Sequence, residues 1–153
     1  LIDNFLLMDI LKRTYFYADE QHFRKHWLQL FAAKNNIIIM DMNRELKLSL
    51  QKMAEVLRRG NNVIIFPEGS RTRDGALAEF KKTFAILSRE LNVPVVPVAL
   101  QGAYEAMPIG QKMPKFGQPI RVTFLPPMYP ETLEYEALSQ KVERAIREQL
   151  EKI

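Results

Sequence analysis

Asn62 to Gly75 reads NVIIFPEGSRTRDG. Its first part, Asn62 to Ile65, is a short apolar run bounded by turn residues, the pattern of a buried strand. The strand then breaks at Pro67 and Gly69. Within six residues the turn carries Glu68, Gly69, Ser70, Arg71 and Arg73, far more functional groups than a reversal of direction needs. In α/β proteins ligands bind at the carboxyl ends of strands, where the chain turns toward a helix. Gly69 permits close backbone approach, Ser70 and nearby N–H groups can donate to an oxyanion, and Arg71 can grip a phosphate with two parallel hydrogen bonds. Glu68 can accept from a substrate hydroxyl or hold an arginine. Asp74-Gly75 is ordinary turn chemistry. From pattern alone two readings stand side by side: an oxyanion clasp, and a solvent-facing turn with one Glu–Arg pair.

Working outward, strands and helices alternate. Phe5–Arg13 (FLLMDILKR) and Asp19–Ala33 read as helices, the second with Phe23, Trp27, Leu28, Leu30 and Phe31 on its apolar side. Ile37–Met40 is a short buried strand. Arg44–Arg59 places Leu46, Leu50, Met53, Ala54 and Leu57 at spacings of three and four and stops at Gly60, which predicts an amphipathic helix. Val63–Phe66 is the next strand. Leu77–Leu91 is predicted helical, with Phe80, Phe84, Leu87 and Leu91 in register. Val93–Leu100 (VPVVPVAL) is strand-like, but its two prolines withhold donors and point to an irregular or edge position. Ile120–Leu125 is a last strand, and Tyr129–Ile153 a C-terminal helix with Leu138, Val142, Ile146 and Leu150 on one face. Met107–Pro119 is the clearest loop. The expectation is an α/β fold: a mixed, partly parallel central sheet flanked by helices, in one domain.

Composition excludes more than it selects. The chain has 153 residues, 47% hydrophobic and 26% charged, with no cysteine, so it holds neither disulfides nor thiolate metal sites. Its net charge of +4 suits an anionic partner. There is no GxxxxGK[ST] and no GxGxxG. The basic residues form no long run, so nucleic acid is not expected as a partner. His22 and His26 stand four apart, yet nothing completes a metal site with them; no metal or cofactor is expected. No apolar stretch reaches the roughly 18 residues of a membrane-spanning helix. The C-terminal helix mixes six acids with four bases from Glu131 to Ile153, a solvated face unlike a basic membrane-binding helix.

FPEGSR, followed by TRDG and then Phe80-Lys81-Lys82, resembles the third motif of the glycerolipid acyltransferases, the lysophosphatidic acid and glycerol-phosphate acyltransferase family. Val93-Pro94-Val95-Val96-Pro97-Val98 is similar to the fourth motif. Ile39-Met40-Asp41-Met42-Asn43-Arg44 falls where the second should lie, with Met42 in place of the usual arginine and Arg44 the nearest substitute. Leu1-Ile2-Asp3 resembles the end of the first motif, N-H-x-S-x-x-D. The likeness covers the chain to about Met128.

That resemblance implies an acyl transfer from acyl-CoA or acyl-carrier protein to a hydroxyl of a lysophospholipid or glycerol phosphate, in phospholipid synthesis. Arg71 would bind the acceptor phosphate with Arg44 and Lys81. Glu68, Gly69 and Ser70 would shape the acceptor pocket, and Pro94 and Pro97 would brace an acyl channel. Asp3 would orient the catalytic histidine, a general base that takes the hydroxyl proton. The motif places that histidine before Leu1, so the expectation is a fragment truncated at its N-terminus that, taken alone, does not turn over. The family's substrates also imply a membrane partner and a place on its cytoplasmic side, the anchor lying in segments outside the chain. The alternative is a non-catalytic module that binds phospholipid or another anion.

Overall fold

The structure is a computed structural model that describes residues 14–19, 37–40, 46–111, 113, 115–131 and 134–152. The helices expected over 5–13 and most of 19–33 lie outside those residues. The chain forms two compact units, residues 4–65 and 66–153.

In the first unit, β1 (Thr14–Asp19), β2 (Ile37–Met40) and β3 (Asn62–Ile64) make a parallel sheet in the order β2-β1-β3. Phe16 of the central strand stands opposite Ile37 on one side and Ile64 on the other. β1 was not expected. Its TYFYAD sequence is rich in β-branched and aromatic residues, and Asp19, assigned to a helix start by sequence, closes the strand. Between β2 and β3 runs α1 (Leu46–Arg58), the crossover that parallel strands require. Its buried side is Ser49, Met53, Ala54 and Val56; Leu46 is exposed, so the packed face is turned slightly from the stripe read in the sequence. The helix ends in a Schellman motif. Asn61 N–H reaches the Val56 carbonyl and Gly60 N–H that of Leu57, with Gly60 at φ +73°.

In the second unit, α2 (Thr83–Leu91) and α4 (Tyr135–Glu151) pack on each other, and α4 packs on β4 (Val98–Gln101). β4 pairs antiparallel with β5 (Arg121–Phe124), Val98 opposite Phe124. A one-turn helix, α3 (Ala103–Ala106), lies between them in the chain. Parallel and antiparallel pairs together make the mixed α/β class expected; the described strands fall into two sheets.

The core of this unit is Phe80, Phe84, Ala85, Leu87, Ala99, Leu138, Val142 and Ile146. Leu138, Val142 and Ile146 are the helical stripe read from the sequence. Phe80 and Phe84 meet edge to face, centroids 6.3 Å apart. Lys82 pairs with Glu136, tying the start of α2 to the first turn of α4. Arg89 adds a 2.7 Å contact to Glu134 and stacks 4.7 Å above the Tyr135 ring. Tyr135 in turn donates to Glu90, which raises its pKa above the ordinary tyrosine value.

Three predicted elements are notably shorter than expected. The C-terminal helix read from Tyr129 begins at Tyr135, after Met128 has bonded to Val95 and the chain has passed Pro130. α2 begins at Thr83 rather than Leu77, because the amides of Ala78, Phe80 and Lys81 already have partners distant in sequence: the Glu68 carboxylate, the Glu143 carboxylate and the Pro67 carbonyl. In VPVVPVAL only Val98 onward is ladder. Val95 makes an isolated two-bond bridge with Met128 between the two prolines.

Candidate functional site

β3 leads into the FPEGSR turn, whose first four residues form a β-turn closed by Gly69 N–H on the Phe66 carbonyl, 3.1 Å. Pro67 takes the second place, where its fixed φ is favourable, and Gly69 sits at φ +70°. Glu68 then does what the sequence left open. Its Oε2 accepts the Ala78 N–H at 2.8 Å, ten residues on, and the Pro67 carbonyl accepts the Lys81 N–H at 2.8 Å. Two long-range bonds thus draw residues 78–81 back against the turn and close 68–78 into a loop.

A nested turn shapes the tip of that loop. The Gly75 N–H donates to Thr72 Oγ1 at 2.9 Å, and the Ala76 N–H to Asp74 Oδ1 at 3.0 Å. Thr72 Oγ1 donates to the same carboxylate oxygen at 3.1 Å. The Ala76 amide first, and then the Thr72 hydroxyl, hold the Asp74 carboxyl below the ordinary aspartate range. This is the local side-chain-to-backbone bonding for which Thr and Asp are favoured in turns.

The loop is also held from outside. The Tyr104 hydroxyl, from α3, donates to the Arg73 carbonyl at 2.9 Å. The Tyr104 ring lies against Gly75, where a Cβ would come within 3.2 Å of it. Arg71 answers in the other direction: its Nη2 donates to the Met107 carbonyl, just past α3, at 2.5 Å. One N–H of the guanidinium is thereby fixed and the fork is oriented, with four N–H groups left for other partners.

Within the 68–78 loop lies an open depression of about 370 Å³, lined by Glu68, Ser70, Arg71, Arg73, Asp74 and Leu77 among others. Lys81 reaches the same turn from the other end of the loop. A methyl group at Gly69 would stand 2.5 Å from Lys81 Nζ, so the ammonium lies directly over the glycine. Glycine suits this position twice: its φ is unstrained, and it leaves room for the Lys81 ammonium that a Cβ would displace. Two guanidinium groups, one ammonium and a serine hydroxyl stand about this turn beside the Glu68 and Asp74 carboxylates; guanidinium, ammonium and hydroxyl groups are the types that can donate to a compact anion.

The structure brings together Glu68, Gly69, Ser70, Arg71 and Lys81 from the residues singled out in the sequence. Asp3 and Arg44 lie outside the described residues. Pro94 is exposed, whereas Pro97 is fully buried and its carbonyl accepts the Leu125 N–H at 2.9 Å. Tyr104 and the Met107 carbonyl were missed. AYEA is too short to announce itself as a helix, and a carbonyl acceptor leaves no trace in a sequence.

A family model described as acyltransferase matches residues 1–101. The chain is 36% identical over 80 residues to the chloroplastic 1-acyl-sn-glycerol-3-phosphate acyltransferase BAT2 of Brassica napus, covering 52% of this chain and 23% of that protein. To the 1-acyl-sn-glycerol-3-phosphate acyltransferase of Limnanthes douglasii it is 38% identical over 84 residues, 52% of this chain and 30% of that one. The chain thus aligns with less than a third of either relative. In three dimensions it resembles the 1-acyl-sn-glycerophosphate acyltransferase PlsC of Thermotoga maritima, with a TM-score of 0.77 at 26% identity, over 93% of this chain and 57% of that one.

Proposed function

The chain belongs to the glycerolipid acyltransferase family, and on that premise we propose that its protein moves a fatty acyl group from a thioester to a hydroxyl of lysophosphatidic acid or a related lysophospholipid or glycerol phosphate. The acceptor oxygen attacks the thioester carbonyl, an ester C–O bond forms, the C–S bond breaks, and the hydroxyl proton ends on the departing thiol. The observation that carries this reading is Arg71, oriented by the Met107 carbonyl at the edge of the depression, with the Lys81 ammonium over Gly69 on the same turn. A phosphate held there has its charge met from two sides, and the acceptor hydroxyl extends from a fixed point. Holding one reactant in this way turns part of the entropic barrier into binding energy already spent.

Glu68 shapes the pocket by closing the loop on Ala78. Asp3 is assigned to orienting the basic histidine of the family's first motif, and Arg44 to a further phosphate contact. The donor is acyl-CoA or acyl-carrier protein, and the protein works at the cytoplasmic face of a membrane. His22 and His26 do not stand at the first motif's spacing. The 153 residues alone are therefore proposed to bind acceptor without turnover.

The test is calorimetric titration of the chain with glycerol 3-phosphate, repeated with Arg71→Ala. Loss of a charge-assisted pair of hydrogen bonds weakens binding about tenfold or more. Equal affinity of the two proteins removes Arg71 from the acceptor site. Thioester consumption by the 153 residues, above a Glu68→Ala control, refutes the binding-only assignment.

A further inference from the structure

Beyond Met107 the chain runs through a loop, Pro108–Pro119, that displays apolar side chains to solvent. Ile109 is 50% exposed, Met113 68% and Phe116 88%. Single exposed apolar residues are ordinary on a protein surface; three large ones within eight residues, led by an almost fully exposed phenylalanine, call for a partner. The loop is anchored at its root. The Lys115 N–H reaches back to the Ala106 carbonyl at 2.8 Å, and the Gln111 N–H to the Pro108 carbonyl at 3.3 Å. Gly110 (φ +94°) and Gly117 (φ +80°) turn the chain with nothing near the place of a Cβ.

Charge selects the partner. From Ala106 to Pro130 the sequence carries Lys112, Lys115 and Arg121 and not one acidic residue. Two copies meeting through this segment would oppose like charges. An anionic bilayer supplies both an apolar layer for the side chains and negative headgroups for the lysines.

We propose that the loop Pro108–Pro119 inserts into the surface of an anionic bilayer, with Ile109, Met113 and Phe116 entering the boundary of the acyl chains and Lys115 at headgroup level. The root of the loop is the Met107 carbonyl that Arg71 holds. Insertion therefore fixes the anion-binding turn at the depth where lipid phosphates lie. This last step rests on the acceptor reading above; the insertion itself does not.

The experiment uses Phe116→Trp, with the native Trp27 signal subtracted from the parent chain's spectrum. With vesicles of phosphatidylcholine and phosphatidylglycerol, the added indole shifts to the blue and is quenched by brominated acyl chains. Phosphatidylcholine alone gives a much smaller effect, and salt reverses the anionic one. Removing two inserted side chains in Met113→Ser/Phe116→Ser lowers co-sedimentation with anionic vesicles about tenfold. The same variant keeps its affinity for glycerol 3-phosphate, a soluble probe that reports the turn without a bilayer. No shift with anionic vesicles overturns the proposal, as does unchanged co-sedimentation of the double variant. A shift that grows with protein concentration without vesicles also overturns it and assigns the loop to self-association. Failure of Arg71→Ala to alter glycerol 3-phosphate binding, with insertion intact, defeats the acceptor reading alone.

Discussion

Gly69 offers a test in which strain and function separate. Gly69 and Gly60 sit at nearly the same backbone conformation, φ +70° and +73°. An alanine at either place costs about 1–2 kcal/mol for its Cβ in the left-handed region. The lower entropy of the unfolded alanine chain returns about 0.4–1 kcal/mol. Each substitution should therefore destabilise the protein by ~1 kcal/mol, measured by urea unfolding. Their surroundings differ completely. The added methyl at Gly60 meets nothing within 4 Å, whereas at Gly69 it would stand 2.5 Å from Lys81 Nζ and 2.7 Å from Lys81 Cε. The lysine is exposed and flexible, so it swings away at little cost to stability, but its ammonium leaves the turn. An ion pair in an exposed site contributes about 0.5–1 kcal/mol after solvent screening, a two- to fivefold loss of affinity. Gly69→Ala should thus bind glycerol 3-phosphate two- to fivefold more weakly in calorimetry, and Gly60→Ala should bind as the parent does. Adding Gly69→Ala to Lys81→Ala should produce no further loss. Additive losses in that double variant, or parental affinity in Gly69→Ala, would refute the role given to Lys81.

Three other outcomes follow from contacts described above. Tyr104→Phe keeps the ring against Gly75 and removes only the hydroxyl bond to the Arg73 carbonyl; a loss of about 1 kcal/mol should lower the melting temperature by ~3 °C and speed amide exchange from Ser70 to Ala76. Unchanged exchange there would mean that the hydroxyl does not brace the loop. Because Asp74 has a depressed pKa, its contribution is present above the unfolded value and lost as pH falls through the folded one. The Ala76 amide resonance should therefore move below the ordinary aspartate range, and Asp74→Asn should abolish that movement. Leu138→Ala empties the centre of the second unit, where Leu138 is fully buried, and should cost about 3 kcal/mol in urea unfolding.

The parts of this molecule legible in the sequence are those in which one segment carries its own signal. Ile37–Met40 and Arg121–Phe124 are short apolar or alternating runs between turn residues, and both are strands. Leu138, Val142 and Ile146 repeat every four residues and line the buried side of α4. The turn at Gly69 and the basic groups about it were plain from residue type. What stayed hidden depends on distant partners. Leu77–Lys81 has helical composition, yet Glu68 and Pro67 claim its amides first. Ala103–Ala106 is one turn long, and its importance lies in a tyrosine hydroxyl and a neighbouring carbonyl aimed at a loop some thirty residues earlier. β1 shows the remaining kind of miss: TYFYAD has strand composition, yet the sequence reading assigns Thr14–Ala18 to no element and gives only Asp19 to a helix.

Val93–Val98 carries a liability that its prolines restrain. An apolar, valine-rich hexamer of high β propensity and no charge is the composition that stacks into cross-β fibres when a neighbouring chain finds its open edge. Val96 is 48% exposed, so the segment is not hidden. Pro94 and Pro97 remove two of its six amide donors and leave, ahead of Val98 where β4 begins, the isolated bridge at Val95 and the Leu125 N–H bond to the Pro97 carbonyl. A second chain arriving there finds too few donors to extend a ladder. The same two residues that make this segment a poor strand thus act as gatekeepers of solubility, in the folded protein and during its synthesis.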